Sequence, residues 1–366
     1  MHAHFLREVA LIKDQIARQG MMVHENFVMA LEAFIDGDRS LGKRVLEIES
    51  EVDSSEVSLE EECLKTIALH QPVADDLRFL ISVIRANHNL ERIGDQAARI
   101  ARFAGLVLPE SLEPLRLMIR NLGALTSMMI YRAAHALIER VGDEALLIWH
   151  VDRLVDRLHD ETAKRIQEEV GLNPESVRDL FTALDAINRI ERAADHAANI
   201  AKAVLYLVLG HIVRHHRKQA LREMPLPRIR LLFVDERDAG SARMAQSWIN
   251  HAHGDHFSAE SAALNPGDPN PLVATVMAET GADITAYAPR GLREYFETER
   301  AIDFVIVLGN PGLLESLPNM PGTACLAWDH PDPATGPEFA DTLDALRAYR
   351  DTLTGKLDRW VKMLSR

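Results

Sequence analysis

Apolar residues recur at helical spacing, with few interruptions, through the first 213 residues of the chain. The periodicity predicts six long helices, roughly 3–36, 39–70, 73–106, 112–140, 142–170 and 174–213. Gly37, Pro72, Pro109, Gly142 and Pro174 stand at or near the breaks, as residues that end or block helices should. Helices of about 30 residues run roughly 45 Å, and short connections make their neighbours antiparallel, as in a bundle. The pattern changes near residue 220: four of the sixteen prolines precede it, and the other twelve run from Pro225 to Pro337. Segments 229–234, 303–308 and 323–328 read as buried strands, and 241–252 and 337–365 as helices. That alternation implies an α/β domain around a parallel sheet. The expected fold is therefore multidomain, all-α tandem three-helix bundles followed by a small α/β domain. The expected boundaries are 1–108 and 109–215 for the bundles, 216–227 for a linker and 228–366 for the α/β domain. The basic start of the link, from Arg214, fits the C-terminal end of the sixth helix, where cations complement the dipole.

The division into two bundles rests on a motif that recurs after 100 residues. Residues 90–100 read Leu-Glu-Arg-Ile-Gly-Asp-Gln-Ala-Ala-Arg-Ile, and residues 190–200 read Ile-Glu-Arg-Ala-Ala-Asp-His-Ala-Ala-Asn-Ile. Each copy sets a Glu and an Asp four residues apart, Glu91 with Asp95 and Glu191 with Asp195. The second helix of each unit holds a similar pair, Glu49 with Asp53 and Asp152 with Asp156. Residues at i and i+4 share a helix face, so two antiparallel helices can bring four carboxylates to one patch. On this phasing Leu77, Leu80, Ile81, Ile84 and His88 lead into Glu91 and Asp95 along a core-facing stripe, and Leu180, Leu184 and Ile187 lead into Glu191 and Asp195. Unpaired charge there is costly.

Clustered carboxylates suit Mg²⁺, Mn²⁺ or Fe. Arg85, Arg92, Arg99 and Arg192 are close in sequence, so ion pairs satisfy the same pattern, and spacing alone leaves both open. Glu56 and Asp160, one turn further on, are secondary candidates, and His88 and His159 are within reach. The third helices lack the Glu-x-x-His pairs of di-iron bundles, which argues against oxidase chemistry.

The net charge of −14 argues against a nucleic-acid partner. No run of 18 or more apolar residues and no apolar leader stretch occurs, so the expectation is a cytoplasmic protein without membrane insertion. The two cysteines, Cys63 and Cys325, suggest neither a disulfide framework nor a zinc site.

These motifs resemble those of the PhoU family of bacterial phosphate-signalling regulators. Residues 41–78 add Leu-Gly-Lys-Arg-Val, Glu56-Val and Gln71-Pro-Val-Ala-Asp-Asp-Leu-Arg78 to the Glu-Arg-Ile-Gly-Asp core. The resemblance covers roughly residues 1–215. It implies tandem three-helix bundles and metal-binding clusters at Glu49, Asp53, Glu91 and Asp95, and at Asp152, Asp156, Glu191 and Asp195, for Fe, Mn, Zn or Mg. It implies a cytoplasmic, often dimeric, non-enzymatic adaptor linking a phosphate ABC transporter ATPase to a sensor histidine kinase and damping the phosphate-starvation response. The second copy departs by Ala193-Ala194 where the family shows Ile-Gly.

The tail resembles the low-molecular-weight phosphotyrosine phosphatase and arsenate reductase fold, through Leu231-Leu-Phe-Val-Asp, Met244-Ala-Gln-Ser-Trp, the segment from Asn270, Asp303-Phe-Val-Ile-Val and Asp332-Pro333. That family needs Cys-x5-Arg, a thiolate nucleophile with a loop that holds the oxyanion. Here the two positions are Asp235 and Ser241, with Arg243 just beyond. The tail is therefore expected to be catalytically silent. The alternative is a phosphatase or arsenate reductase with a helical regulatory half.

Overall fold

The computed structural model describes residues 2–106, 109–210, 227–238, 240–268, 270–284, 288–298, 301–330 and 343–365. The chain divides into two compact units, Met1–Pro225 and Leu226–Arg366.

The first unit is built from α1 (His2–Ile35), α2 (Arg39–His70), α3 (Ala74–Ala101), α4 (Glu113–Glu139), α5 (Gly142–Leu172) and α6 (Val177–Leu209). Helices α1–α3 pack on one another, as do α4–α6, and the two bundles join through α3 against α6 and α1 against α4. The boundaries have local causes. Asp38 caps α2 by accepting hydrogen bonds from the Ser40 and Leu41 amides at 2.7 and 3.2 Å. Gln71, at φ 48°, ends α2 in the left-handed region just before Pro72. Close approach between the bundles requires Gly20, where a Cβ would stand 2.6 Å from that of Ala134.

The buried stripe of α3 runs through Phe79, Val83, Ala86, Leu90, Ile93, Ala97 and Ile100. This corrects the expected phase. Leu77 and His88 are exposed, and Glu91 and Asp95 flank the stripe instead of continuing it. In α6 Leu180 and Ile187 are buried as expected, with Ala183, Ala186, Ile190, Ala193 and Ala197 beside them, while Glu191 is half-buried and Asp195 exposed. The physical reason is cost: flanking positions give the carboxylates partial solvation that a core position denies.

The second unit holds β1 (Ile229–Asp235), α7 (Ser241–Ala252), β2 (Phe257–Ala263), α8 (Pro271–Ala278), α9 (Leu292–Phe296), β3 (Phe304–Leu308), β4 (Ala324–Trp328) and α10 (Leu343–Ser365). The sheet is wholly parallel in the order β2-β1-β3-β4, a doubly wound arrangement whose strand order reverses between β1 and β3. Strand β2 escapes a sequence reading because Phe-Ser-Ala-Glu-Ser-Ala-Ala lacks β-branched residues. Trp360 of α10 anchors that helix, its ring 5.1 Å from Phe304 and 6.3 Å from Trp328. The expected linker from 216 to 226, the Asp332-Pro333 step and the start of the last helix lie outside the described residues.

Candidate functional site

All eight predicted acids lie on the paired helices, and none is fully buried. Glu49, Glu91, Asp95, Asp152 and Glu191 are half-buried, while Asp53, Asp156 and Asp195 are exposed. In the first bundle α2 and α3 bring the acids into mutual range. Burial raises the pKa of Glu49; Asp95 and Asp53 push it further up, and Arg102 and Arg99 oppose them. Burial likewise raises Glu91, with Arg92 opposing and Asp95 and Glu56 adding to the rise. Arg92 bridges the pair, its Nε 3.3 Å from Glu91 and its Nη1 3.6 Å from Asp95. His88 Nδ1 stands 3.7 Å from Glu56 and 4.0 Å from Glu91. Glu91 Oε2 is a buried oxygen whose nearest cation is Arg92 Nε, an ion pair without hydrogen-bond geometry.

The second patch, on α5 and α6, is more acidic in effect. Burial pushes Asp152 up to about 7, helped by Asp156, Asp195 and Glu191 and opposed by Lys202. Asp156 and Glu191 are raised too, by burial first and then by Asp195. His159 lowers both, but its ring nitrogens lie against Asn188 at 2.9 Å and Asp160 at 3.3 Å. Arg192 offsets Glu191 weakly. Of the expected arginine partners, Arg92 and Arg99 act in the first copy, joined by Arg102, which the sequence reading did not single out. Arg85 instead lies 5.5 Å over the Tyr206 ring.

Sequence reasoning missed a link between the patches. His196 stands where the first copy has Gln96, and its Nδ1 lies 3.0 Å from Asn89 Oδ1 across the α3–α6 contact. Burial lowers its pKa, and Asp195 and Asp95 both pull it back up. The repeat motif held this signal, as the one position in Asp-x-Ala-Ala where the copies exchange an amide for an imidazole.

Carboxylates raised by burial first and then by one another are of the oxygen-donor chemistry that hard cations take. Among the described residues the acid patches do not bring three ligating atoms within 4.8 Å of one another; His4, Glu8 and His70 do.

The β1–α7 loop of the second unit is already filled. Asp235, fully buried, ends β1 at the strand-order reversal. Its Oδ1 accepts hydrogen bonds from the Arg237 amide at 3.1 Å and from the Asp238 amide. Its Oδ2 accepts from Ser241 Oγ and the Ala242 amide, both at 2.8 Å. The carboxylate occupies the helix N-terminus, where a bound anion would otherwise sit. Arg243 is buried with Nη2 donating to the Ile284 carbonyl at 3.0 Å. Burial pushes the Cys325 thiol up to about 11 and the Cys63 thiol up to about 12, so neither is a ready nucleophile.

The PhoU domain pattern matches residues 16–104 and 119–204. The phosphate-specific transport system accessory protein PhoU homolog of Pseudomonas aeruginosa is 32% identical over 212 residues, 58% of this chain and 88% of that protein. The crystal structure of PhoU from Pseudomonas aeruginosa superposes on 57% of this chain and 100% of its own, at 30% identity and a TM-score of 0.53. A low-molecular-weight protein tyrosine phosphatase from T. tengcongensis aligns with 37% of this chain and 98% of its own, at 20% identity and a TM-score of 0.31. With both bundles matched and nearly nine-tenths of a 32%-identical relative spanned, the chain belongs to the PhoU family.

Proposed function

We propose that this protein is a non-enzymatic regulator of phosphate uptake and phosphate-starvation signalling whose paired acid patches bind metal ions. The observation that carries this reading is the duplicated set of half-buried and exposed carboxylates on paired helices, with Asp152, Asp156 and Glu191 raised by burial and by their acidic neighbours. The relatives' role in phosphate-specific transport supports the biological setting. Glu49, Asp53, Glu91 and Asp95 would hold one or more ions of the Fe, Mn, Zn or Mg kind, and the second quartet would hold others. A bound cation supplies positive charge that relieves carboxylate repulsion. The residues themselves do the rest: the acids fix the relative positions of α2 with α3 and of α5 with α6, and so set the outer surface that partner proteins meet. Those partners are a phosphate ABC transporter ATPase and a sensor histidine kinase, met in the cytoplasm by a homodimer. Among the described residues no helix is long and apolar enough to cross a membrane, which accords with that location.

The enzymatic alternative is opposed by the Asp235 carboxylate, which consumes the loop amides that a phosphoryl or arsenate oxyanion needs. The second unit is therefore read as a pseudoenzyme domain, and the full chain should turn over neither an aryl phosphate nor arsenate. The decisive experiment is elemental analysis of untagged protein beside the Asp95→Ala/Asp195→Ala double variant, with phosphate uptake followed in cells. Metal in the parent that falls in the variant, with derepressed uptake, supports the reading. Unchanged metal and unchanged uptake sink it.

A further inference from the structure

A mixed nitrogen and oxygen cluster stands apart from the acid patches. His4 and Glu8 share a face of α1 at i and i+4, and His70 is the last residue of α2. From Glu56 to His70 the helix climbs about 20 Å, so this cluster is not an extension of the first patch. His4 Nδ1 lies 3.0 Å from Glu8 Oε1, and His70 Nε2 lies 2.7 Å from Glu8 Oε2. One ligating atom from each of the three falls within 4.8 Å of the other two. Thr66 Oγ1, 3.5 Å from Glu8 Oε2, donates a supporting hydrogen bond. The Glu8 and His70 side chains are only 10% and 13% exposed, whereas His4 is 73% exposed.

We infer that His4, Glu8 and His70 form a binding site for a borderline divalent cation of the Zn²⁺ class, clipping the first turns of α1 to the last turn of α2. The donor set decides the class. Two imidazoles and one carboxylate match Zn²⁺ and its first-row neighbours, whereas Mg²⁺ and Ca²⁺ prefer oxygen alone. The separations fit as well. Tetrahedral ligands at about 2.0 Å from zinc stand roughly 3.3 Å apart; the two His–Glu8 separations, 3.0 and 2.7 Å to the two carboxylate oxygens, are near that, and one atom of each residue lies within 4.8 Å of the other two. Thr66 takes the outer role that orients a metal-bound carboxylate. The exposed side, next to His4, leaves the fourth position to water. This inference does not rest on the acid patches binding anything.

The test is Zn²⁺ titration of untagged, chelator-treated full-length protein, followed by calorimetry and thermal unfolding. The His4→Ala, His70→Ala and Asp95→Ala/Asp195→Ala variants are titrated alongside. His4→Ala is the primary variant, because its side chain is exposed and its loss leaves the core intact. The expected result includes one Zn²⁺ equivalent, separate from any held by the acid patches, whose affinity falls at least about tenfold in His4→Ala and in His70→Ala but persists in the aspartate variant. Zn²⁺ should raise the unfolding temperature of the parent more than that of His4→Ala, and Mg²⁺ in excess should not displace it. X-ray absorption of the one-equivalent complex should carry imidazole scattering. An isotherm and a thermal shift unchanged by His4→Ala, or loss of that equivalent in the aspartate variant, would overturn the assignment.

Discussion

The two bundles repeat four carboxylates in the same order, with Asp152 where the first has Glu49, and neutralise them differently. In the first, Arg92 spans Glu91 and Asp95, and Arg99 and Arg102 act on Glu49. In the second, Lys202 acts on Asp152, and His159 and Arg192 act on Glu191. Asp152 is pushed up to about 7, by burial first and then by Asp156, Asp195 and Glu191. The two copies share the carboxylate positions and differ in the counter-charges around them. On the proposed reading, the second patch has more to gain from a cation than the first.

The sharpest way to break that comparison is pH. Asp152 titrates at about 7 in the fold, against 3.8 for the ordinary group. Between those values the folded chain holds a proton that the unfolded chain has released, so stability falls as pH rises through the window. The full effect is at most about 4 kcal/mol, since each pKa unit is worth about 1.4 kcal/mol. Metal-free Asp152→Asn should flatten the decline, as read by denaturant unfolding at pH 4 to 8. An identical slope in parent and variant would remove Asp152 as its source. The corresponding Glu49→Gln change should alter the slope less, because Arg102 and Arg99 already oppose the rise of Glu49.

Cation affinity should divide along the same line. Asp195→Ala is expected to weaken Mn²⁺ binding to the second patch by about 100-fold, and Asp95→Ala to weaken binding to the first by nearer tenfold. Arg92 explains the smaller loss, since it already supplies positive charge to Glu91 and Asp95. Equal losses in the two variants, read by calorimetry, would show that the counter-charges do not matter. Arg92→Gln should then bring the first patch towards the second by strengthening its Mn²⁺ binding.

Much of this was legible in the chain, because long helices write their period into it. Six helices and the duplicated acid pairs follow from spacing alone. The phase of α3 did not follow. Leu77, Ile81 and Ile84 made an apolar line that competed with Phe79, Val83 and Ala86, and only packing against neighbouring helices separates them. His4 and His70 are 66 positions apart, so their meeting depends on where α1 begins and α2 ends. Asp235 was legible as a missing nucleophile. That its own carboxylate would occupy the loop amides depends on backbone geometry, including Asp238 at φ 48°.

The smallest expected effect tests how closely the helices of each bundle approach. The repeat places Gly94 in the first copy where the second has Ala194, and Val52 where the second has Val155. A Cβ added at Gly94 would stand 3.2 Å from Val52 Cγ1, so a methyl group there fits only if Val52 gives way by a few tenths of an ångström. Two terms compete in Gly94→Ala. Helix propensity favours alanine by about 1 kcal/mol, and overpacking against a stiff β-branched side chain costs about 1–3 kcal/mol. The expected net is a loss of about 1 kcal/mol, measured by denaturant unfolding. In a Val52→Ala background the contact is gone, and Gly94→Ala should become stabilising. Ala194→Gly in the second bundle should cost about 1 kcal/mol through propensity alone. If Gly94→Ala stabilised the protein with Val52 in place, close approach would not be the reason for glycine, and the difference between the bundles would be one of charge alone.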